Sequence, residues 1–291
     1  IKYVTGGTYY WEEVETPAGY VPAEGLHEFT ISEADNVVEI PNERIPGSVT
    51  LTKNDKDHKL EYGPLKGASF HLYTSTDPDG RYAEDGTIDT FTTDESGTLT
   101  VTGLPWGSYY FKEIQAPEGY DLSTGRIEFM ISRYDSPVTG ADGALTIHTN
   151  VEAFNTEKKA SAILIKKDAE TGEKLKDAYF ELYRKTLEGS GTNRKWKWIL
   201  EREAQKTNAA GEIAVQDLNF GTYRFAEVQP PRGYLMDPAN GVIKSDNGEA
   251  EFPEDFNAKE LEFTLDASTV GKTIELTTSN ERRKGSAALY K

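Results

Sequence analysis

Short runs of β-branched and aromatic residues recur along the chain, and Gly, Asp, Asn and Pro break them at close intervals. No long stretch keeps the helical period, so the pattern predicts many short strands with tight connections. Strands of this length separated by turn signals imply β-sandwiches, because two half-apolar sheets bury their inner faces against each other. The stretch from Asp77 to Asp89 is the least regular and reads as a polar loop.

The runs repeat. Tyr9-Tyr-Trp-Glu-Glu-Val-Glu-Thr-Pro-Ala-Gly-Tyr20, Tyr109-Tyr-Phe-Lys-Glu-Ile-Gln-Ala-Pro-Glu-Gly-Tyr120 and Tyr223-Arg-Phe-Ala-Glu-Val-Gln-Pro-Pro-Arg-Gly-Tyr234 share a Tyr-x-aromatic-x-Glu core followed by Pro-x-Gly-Tyr. A glycine before each (Gly7, Gly107, Gly221) marks entry into the strand. The Pro-x-Gly presets a turn in which Gly is free to take positive φ. Upstream lie Gly47-Ser-Val-Thr-Leu-Thr-Lys53, Ser161-Ala-Ile-Leu-Ile-Lys166 and Gly285-Ser-Ala-Ala-Leu-Tyr-Lys291. Each unit closes on an asparagine, in Val38-Glu-Ile-Pro-Asn42, Val151-Glu-Ala-Phe-Asn155 and Ile274-Glu-Leu-Thr-Thr-Ser-Asn280.

The order Lys strand, Glu strand, Asn strand is complete over residues 47–158 and again over 159–284. Residues 1–46 then read as the C-terminal half of a preceding domain, and 285–291 as the first strand of a following one. Longer flanking domains are the expectation. A pairing of Lys291 with Glu13 and Asn42 of a neighbouring molecule is the alternative.

Parity locates the polar members of the repeat. Residues two apart on a strand share a face. Val49, Leu51 and Lys53 fall on one face, as do Ala162, Leu164 and Lys166. So do Tyr109, Phe111 and Glu113; Tyr223, Phe225 and Glu227; Val151, Ala153 and Asn155; and Leu276, Thr278 and Asn280. Each apolar face ends in a group that ionises or reacts. A lone buried charge is very costly, so the three types must meet one another or reach solvent at the strand ends. Their repetition at one parity favours the meeting. Lys167 shares a face with Ile163 and Ile165, but Lys166-x-Asp168 matches Lys53-x-Asp55, which favours Lys166.

Charge and composition then exclude whole classes of function. The 32 Lys and Arg against 49 Asp and Glu give a net charge of −17, unsuited to neutralising phosphates, so nucleic acid is not an expected partner. The absence of cysteine removes disulfides, zinc–thiolate sites and cysteine nucleophiles. No apolar run approaches a membrane span, and no signal peptide opens the chain. The four histidines form no metal-spaced pair, and neither a Ser-His-Asp set nor a phosphate loop is evident. Neither a metal nor a cofactor is expected.

The repeated motifs resemble the collagen-adhesin B-type (Cna-B, SpaA-like) domain of Gram-positive adhesins and pilins, over nearly the whole chain. The resemblance implies tandem transthyretin-like, reverse-immunoglobulin β-sandwiches in an elongated array. It also implies a spontaneous amide between the first-strand Lys and the last-strand Asn, with a buried Glu as acid/base. Carried over residue by residue, Lys53, Glu113 and Asn155 form one set, and Lys166, Glu227 and Asn280 the other. Glu13 and Asn42 would be two parts of a third set, and Lys291 the opening part of a fourth.

Such chemistry needs burial. An apolar pocket lowers the pKa of Lys and raises that of Glu, leaving a nucleophilic amine beside a proton donor. The role implied is a stalk or pilus backbone on the cell surface, anchored to the wall by sequence outside this stretch. Each domain turns over once, so it is not an enzyme. The partners are neighbouring domains of the same chain. The competing reading is a module binding host matrix protein or glycan, for which Trp196 and Trp198 offer a face, although packing is the more frequent fate of such residues. Asp77, Asp79, Glu84, Asp85 and Asp89 lack EF-hand spacing and read as a solvated acidic loop. Neither a sortase-acceptor Lys motif nor an LPxTG-type signal is present, so polymerisation has no support in the sequence.

Overall fold

The structure, a computed structural model, describes residues 4–32, 39–75, 82–140, 143–189, 192–244 and 250–285. The chain divides into two compact units: residues 1–54, 64–117 and 122–155 form the first, and residues 55–63, 118–121 and 156–291 the second.

In the first unit, β1 (Gly7–Trp11) and β2 (His27–Ile31) pair antiparallel as a two-stranded sheet. Then come β3 (Gly47–Asp55), β4 (Ser69–Ser75), β5 (Tyr82–Thr92), β6 (Thr98–Leu104), β7 (Gly107–Gln115), β8 (Arg126–Ile131), β9 (Val138–Thr139) and β10 (Leu145–Asn155). They assort into two sheets, ordered β6-β3-β10-β9 and β5-β4-β7-β8. Between the sheets lies the core: Val49, Leu51 and Ile147 from one, Phe70, Leu72, Phe111 and Ile131 from the other, none more than 1% exposed. Burial of such side chains contributes about 1.5–3 kcal/mol each, offsetting the entropy of ordering the strands. Gly47 opens β3 because a Cβ there would sit 2.4 Å from Cγ2 of buried Ile131.

Among the described residues, the second unit takes in the short helix α1 (Lys59–Tyr62) and nine strands. These are β11 (Ala160–Asp168), β12 (Tyr179–Glu188), β13 (Lys195–Lys206), β14 (Glu212–Leu218), β15 (Gly221–Gln229), β16 (Ile243–Lys244), β17 (Ala250–Glu251), β18 (Glu262–Leu265) and β19 (Thr273–Asn280). The helix α2 (Ala258–Leu261) precedes β18 and buries Leu261. The sheets are β14-β11-β19 and β16-β17-β13-β12-β15-β18, enclosing Ala162, Leu164, Phe180, Tyr223, Phe225 and Leu265. The first strand β11 runs parallel to the last strand β19, in register from Ser161↔Thr273 to Asp168↔Asn280.

The tandem all-β sandwich expectation holds. The Glu strands β1, β7 and β15 begin at Gly7, Gly107 and Gly221. The turns after them place Gly19, Gly119 and Gly233 at φ of 85°, 84° and 91°, where any Cβ would be strained. One expectation fails. The span 77–89 is not wholly loop, because β5 starts at Tyr82 and pairs with β4 as far as Ser69↔Thr92. Its register shifts twice, between Leu72/Tyr73 and Tyr73/Ser75, which breaks the alternation by which a strand is recognised. Asp77 and Asp79 lie outside the described residues, as do the side chains of Glu84, Asp85 and Asp89.

Candidate functional site

Three strands deliver the polar members of the repeat into each core. In the first unit, Lys53 comes from β3, Glu113 from β7 and Asn155 from β10, with 0%, 2% and 2% exposure. Lys53 Nζ lies 3.5 Å from Glu113 Oε1, and neither atom makes a hydrogen bond. The other carboxylate oxygen is held on two sides: Asn155 Nδ2 donates to it at 2.8 Å, and the Ser123 backbone N–H at 2.7 Å. Burial pulls the Lys53 ammonium down to about 8, against the attraction of Glu113.

The second unit repeats the arrangement on β11, β15 and β19. Lys166 Nζ lies 3.4 Å from Oε1 of Glu227 and the same distance from Oε2. Asn280 Nδ2 donates to Glu227 Oε1 at 3.2 Å and to the Leu235 carbonyl at 2.7 Å. All three residues are buried, and the Asn280 Oδ1 has no hydrogen bond. Lys166 also lies over the Phe180 ring, 5.5 Å from its centroid. Burial depresses the Lys166 pKa and raises that of Glu227, each against the pull of the other's charge. Both shifts favour the neutral amine facing the neutral carboxylic acid. Lys166, not Lys167, points inward; Lys167 is half-buried.

The residues Glu13 and Asn42 also meet. Asn42 Nδ2 donates to Glu13 Oε1 at 2.7 Å, and the Ala23 N–H donates to Oε2 at 2.8 Å. These two residues are only half-buried, and the hydrogen bonds of Ala23 and Asn42 hold the Glu13 carboxyl below its ordinary pKa. Lys291 lies outside the described residues.

Sequence reasoning missed the backbone donors. Ala23 and Ser123 each lie ten residues beyond their glutamate, where the chain returns after Pro-x-Gly-Tyr. It also missed what the Lys-x-Asp aspartate does. Asp168 accepts the Tyr234 hydroxyl at 2.7 Å and Arg282 Nε at 2.6 Å, joining the Pro-x-Gly-Tyr turn to the residues after Asn280. The backbone N–H of Thr171, then these two hydrogen bonds and the backbone N–H of Glu170, hold the Asp168 carboxyl far below its ordinary pKa. The recurrence of Asp and Tyr in the repeats was the available signal.

Trp198 packs against Phe252 and under the Arg224 guanidinium, whereas Trp196 is 53% exposed. Among the described residues, no helix is long and apolar enough to cross a membrane.

The SpaA family, described as a prealbumin-like fold domain, matches residues 47–144 and 160–255. A trypsin-resistant surface T6 protein of Streptococcus pyogenes serotype M6 is 30% identical over 182 residues, 57% of this chain and 31% of that protein. A collagen adhesin of Staphylococcus aureus is 28% identical over 216 residues, 68% of this chain and 17% of that protein. The chain thus spans under a third of either relative. Among solved structures, the Bacillus anthracis TIE protein is 22% identical at a TM-score of 0.47, over 94% of this chain and 42% of that one. The shaft pilin SpaA of Lactobacillus rhamnosus GG is 19% identical at 0.31, over 83% of this chain and all of that one.

Proposed function

We propose, for a chain that belongs to the SpaA prealbumin-like domain family, that its two complete domains are load-bearing stalk domains of a Gram-positive surface protein, each locked by a Lys–Asn isopeptide bond. The observation that carries this reading is the pair of buried Lys–Glu–Asn sets, in two separate cores, on strands of the same order.

The step balances without a cofactor. The neutral Lys166 Nζ attacks Asn280 Cγ; the Nζ–Cγ bond forms and the Cγ–Nδ2 bond breaks. One amine proton passes through the Glu227 carboxyl to Nδ2, which leaves as ammonia. Nδ2 already lies against the Glu227 oxygen that would protonate it. A protonated Glu227 also stabilises the oxygen as it gains charge. Folding supplies the proximity that is otherwise much of the barrier. Lys53, Glu113 and Asn155 take the same roles in the first unit. The bond forms once and the glutamate stays in place, so the domains are not turnover catalysts.

The test is the intact mass of the folded chain under denaturing conditions. The expected result is a deficit of one ammonia for each complete domain, with Lys53 joined to Asn155 and Lys166 to Asn280 on peptide mapping. An unmodified mass in folded protein would refute the bonds. Surface display is supported by the relative described as a surface protein; wall anchoring is part of the proposal. Direct binding of a host matrix protein or glycan is the second reading, favoured by the exposed ring of Trp196. Loss of matrix or glycan-array binding on Trp196→Ala would support it.

A further inference from the structure

The second unit holds another cluster that the bond-forming sets do not use. Asp55 and Asp168 occupy the same place, two residues after the buried lysine. Around Asp168 the carboxylate is fully engaged. Oδ1 accepts the N–H groups of Glu170 and Thr171, while Oδ2 accepts the Tyr234 hydroxyl and Arg282.

The equivalent surroundings of Asp55 differ at two positions. Arg282 stands two residues after Asn280 and bridges to Tyr234; Glu157 stands two residues after Asn155 and bridges to Tyr120. A carboxylate therefore replaces the guanidinium that neutralises the aspartate. Thr171, three residues after Asp168, is replaced by His58, three residues after Asp55. One domain fills the position with a cation of its own, whereas the other has two carboxylates and an imidazole.

The geometry is closed and specific. Asp55 is 1% exposed and Glu157 2%. Backbone N–H groups fix one oxygen of each: Asp57 and His58 donate to Asp55 Oδ1, and Phe220 donates to Glu157 Oε2 at 2.8 Å. The remaining Asp55 Oδ2, Glu157 Oε1 and His58 Nδ1 are buried and turned toward one another; His58 pairs with Glu157, and the Tyr120 hydroxyl is the other group that reaches Asp55. One ligand atom from each of the three residues lies within 4.8 Å of the others. His58 Nδ1 is 2.8 Å from Glu157 Oε1 and 3.7 Å from Asp55 Oδ1, the oxygen that also takes the two backbone N–H groups. Zinc bonds of about 2.0–2.2 Å in a tetrahedron place ligand atoms roughly 3.4 Å apart, between those two distances.

Charge points the same way. Two buried carboxylates need compensation. A protonated His58 supplies one positive charge; a divalent ion with neutral His58 supplies two. The other groups facing the cluster are Arg184, Glu61, Tyr62 and Tyr120. The Arg184 guanidinium is engaged by Glu61 at 2.8 Å, by the Tyr62 hydroxyl and by the Phe220 carbonyl. The Tyr120 hydroxyl stands beside Asp55.

We propose that Asp55, His58 and Glu157 form a structural divalent-cation site suited to zinc, with one nitrogen and two oxygen ligands and a further position open to water beside the partly exposed His58. Within the second unit, the ion ties the segment 55–63 to the residues following Asn155. Nitrogen and carboxylate donors without thiolate suit zinc and its first-row neighbours better than magnesium.

The experiment is calorimetric titration of the full chain with zinc chloride, beside two variants that install the sister domain's residues, Glu157→Arg and His58→Thr. The unaltered chain is expected to take up one zinc and to melt at a higher temperature with it. Glu157→Arg should abolish uptake, because its guanidinium then serves Asp55 as Arg282 serves Asp168. His58→Thr should weaken uptake at least tenfold while His27, His71 and His148 remain. No uptake by the unaltered chain, or uptake of equal affinity in His58→Thr, would overturn the proposal. His58→Thr keeps the test decisive if Glu157→Arg does not fold.

Discussion

The strength of the proposed Lys166–Asn280 link can be separated from the charge chemistry around it. Two variants both prevent the bond. Glu227→Ala leaves Lys166 buried with no carboxylate beside it, whereas Lys166→Met with Glu227→Gln leaves a neutral core of similar volume. A cross-link from 166 to 280 closes a loop of 114 residues in the unfolded chain. By the chain-entropy relation used for disulfides, removing it costs about 5 kcal/mol. The double variant should lose that amount and little else. Glu227→Ala should lose about 3–5 kcal/mol more, the usual cost of leaving one member of a buried ionisable pair without its partner. In a unit of this size, about 5 kcal/mol corresponds to a melting-temperature shift of roughly 15–20 °C. Scanning calorimetry of the full chain, with bond status read by mass, is the assay. If the double variant melts within a few degrees of the bonded protein, the link does not hold the fold. If it falls as far as Glu227→Ala, the charge argument is wrong.

Other expectations concern the first unit and the aspartate hub. Asn155→Ala leaves Lys53 free in a core that lowers its pKa from 10.5 to about 8, so the unfolded chain binds the proton more tightly. The stability of that variant should therefore rise with pH between about 8 and 10.5, with the full penalty present below 8; a flat profile in pH-dependent urea melts would contradict the burial. In refolding followed by mass, the Lys53–Asn155 bond should form faster as pH rises from 6 toward 8, as the neutral amine becomes more abundant. Gly47→Ala places a methyl against Ile131 and should cost about 1–3 kcal/mol in urea melts. The strongly lowered pKa of Asp168 means that its contribution is complete above pH about 4 and is lost as pH falls further. Asp168→Asn should melt at a lower temperature at pH 7, and the difference should narrow in acid.

Much of this arrangement was legible because a strand has a period of two. The face of Leu51 had to carry Lys53, and the face of Phe225 had to carry Glu227; burial then forced each to find a partner. The ambiguity between Lys166 and Lys167 was resolvable only by comparison with Lys53-x-Asp55, since both faces of β11 are apolar. Beyond that the period says nothing. The Ser123 N–H meets Glu113 because a turn folds back, not because a side chain is marked. His58 and Glu157 are 99 positions apart and look ordinary until their places are matched with Thr171 and Arg282. The early part of β5 was hidden because two register shifts erase the alternation that reveals a strand.

The parallel register of β11 with β19 has a mechanical consequence. Tension entering at the start of this domain and leaving at its end is carried between two adjacent strands pulled in shear, across eight matched positions from Ser161 to Asp168. With Lys166 joined to Asn280, the 113 residues between them lie off the load path. Their contour length, about 380–400 Å when drawn straight, is never released. A chain of domains bonded in this proposed way would resist stretch as a tether of fixed length, with no force first spent on unravelling.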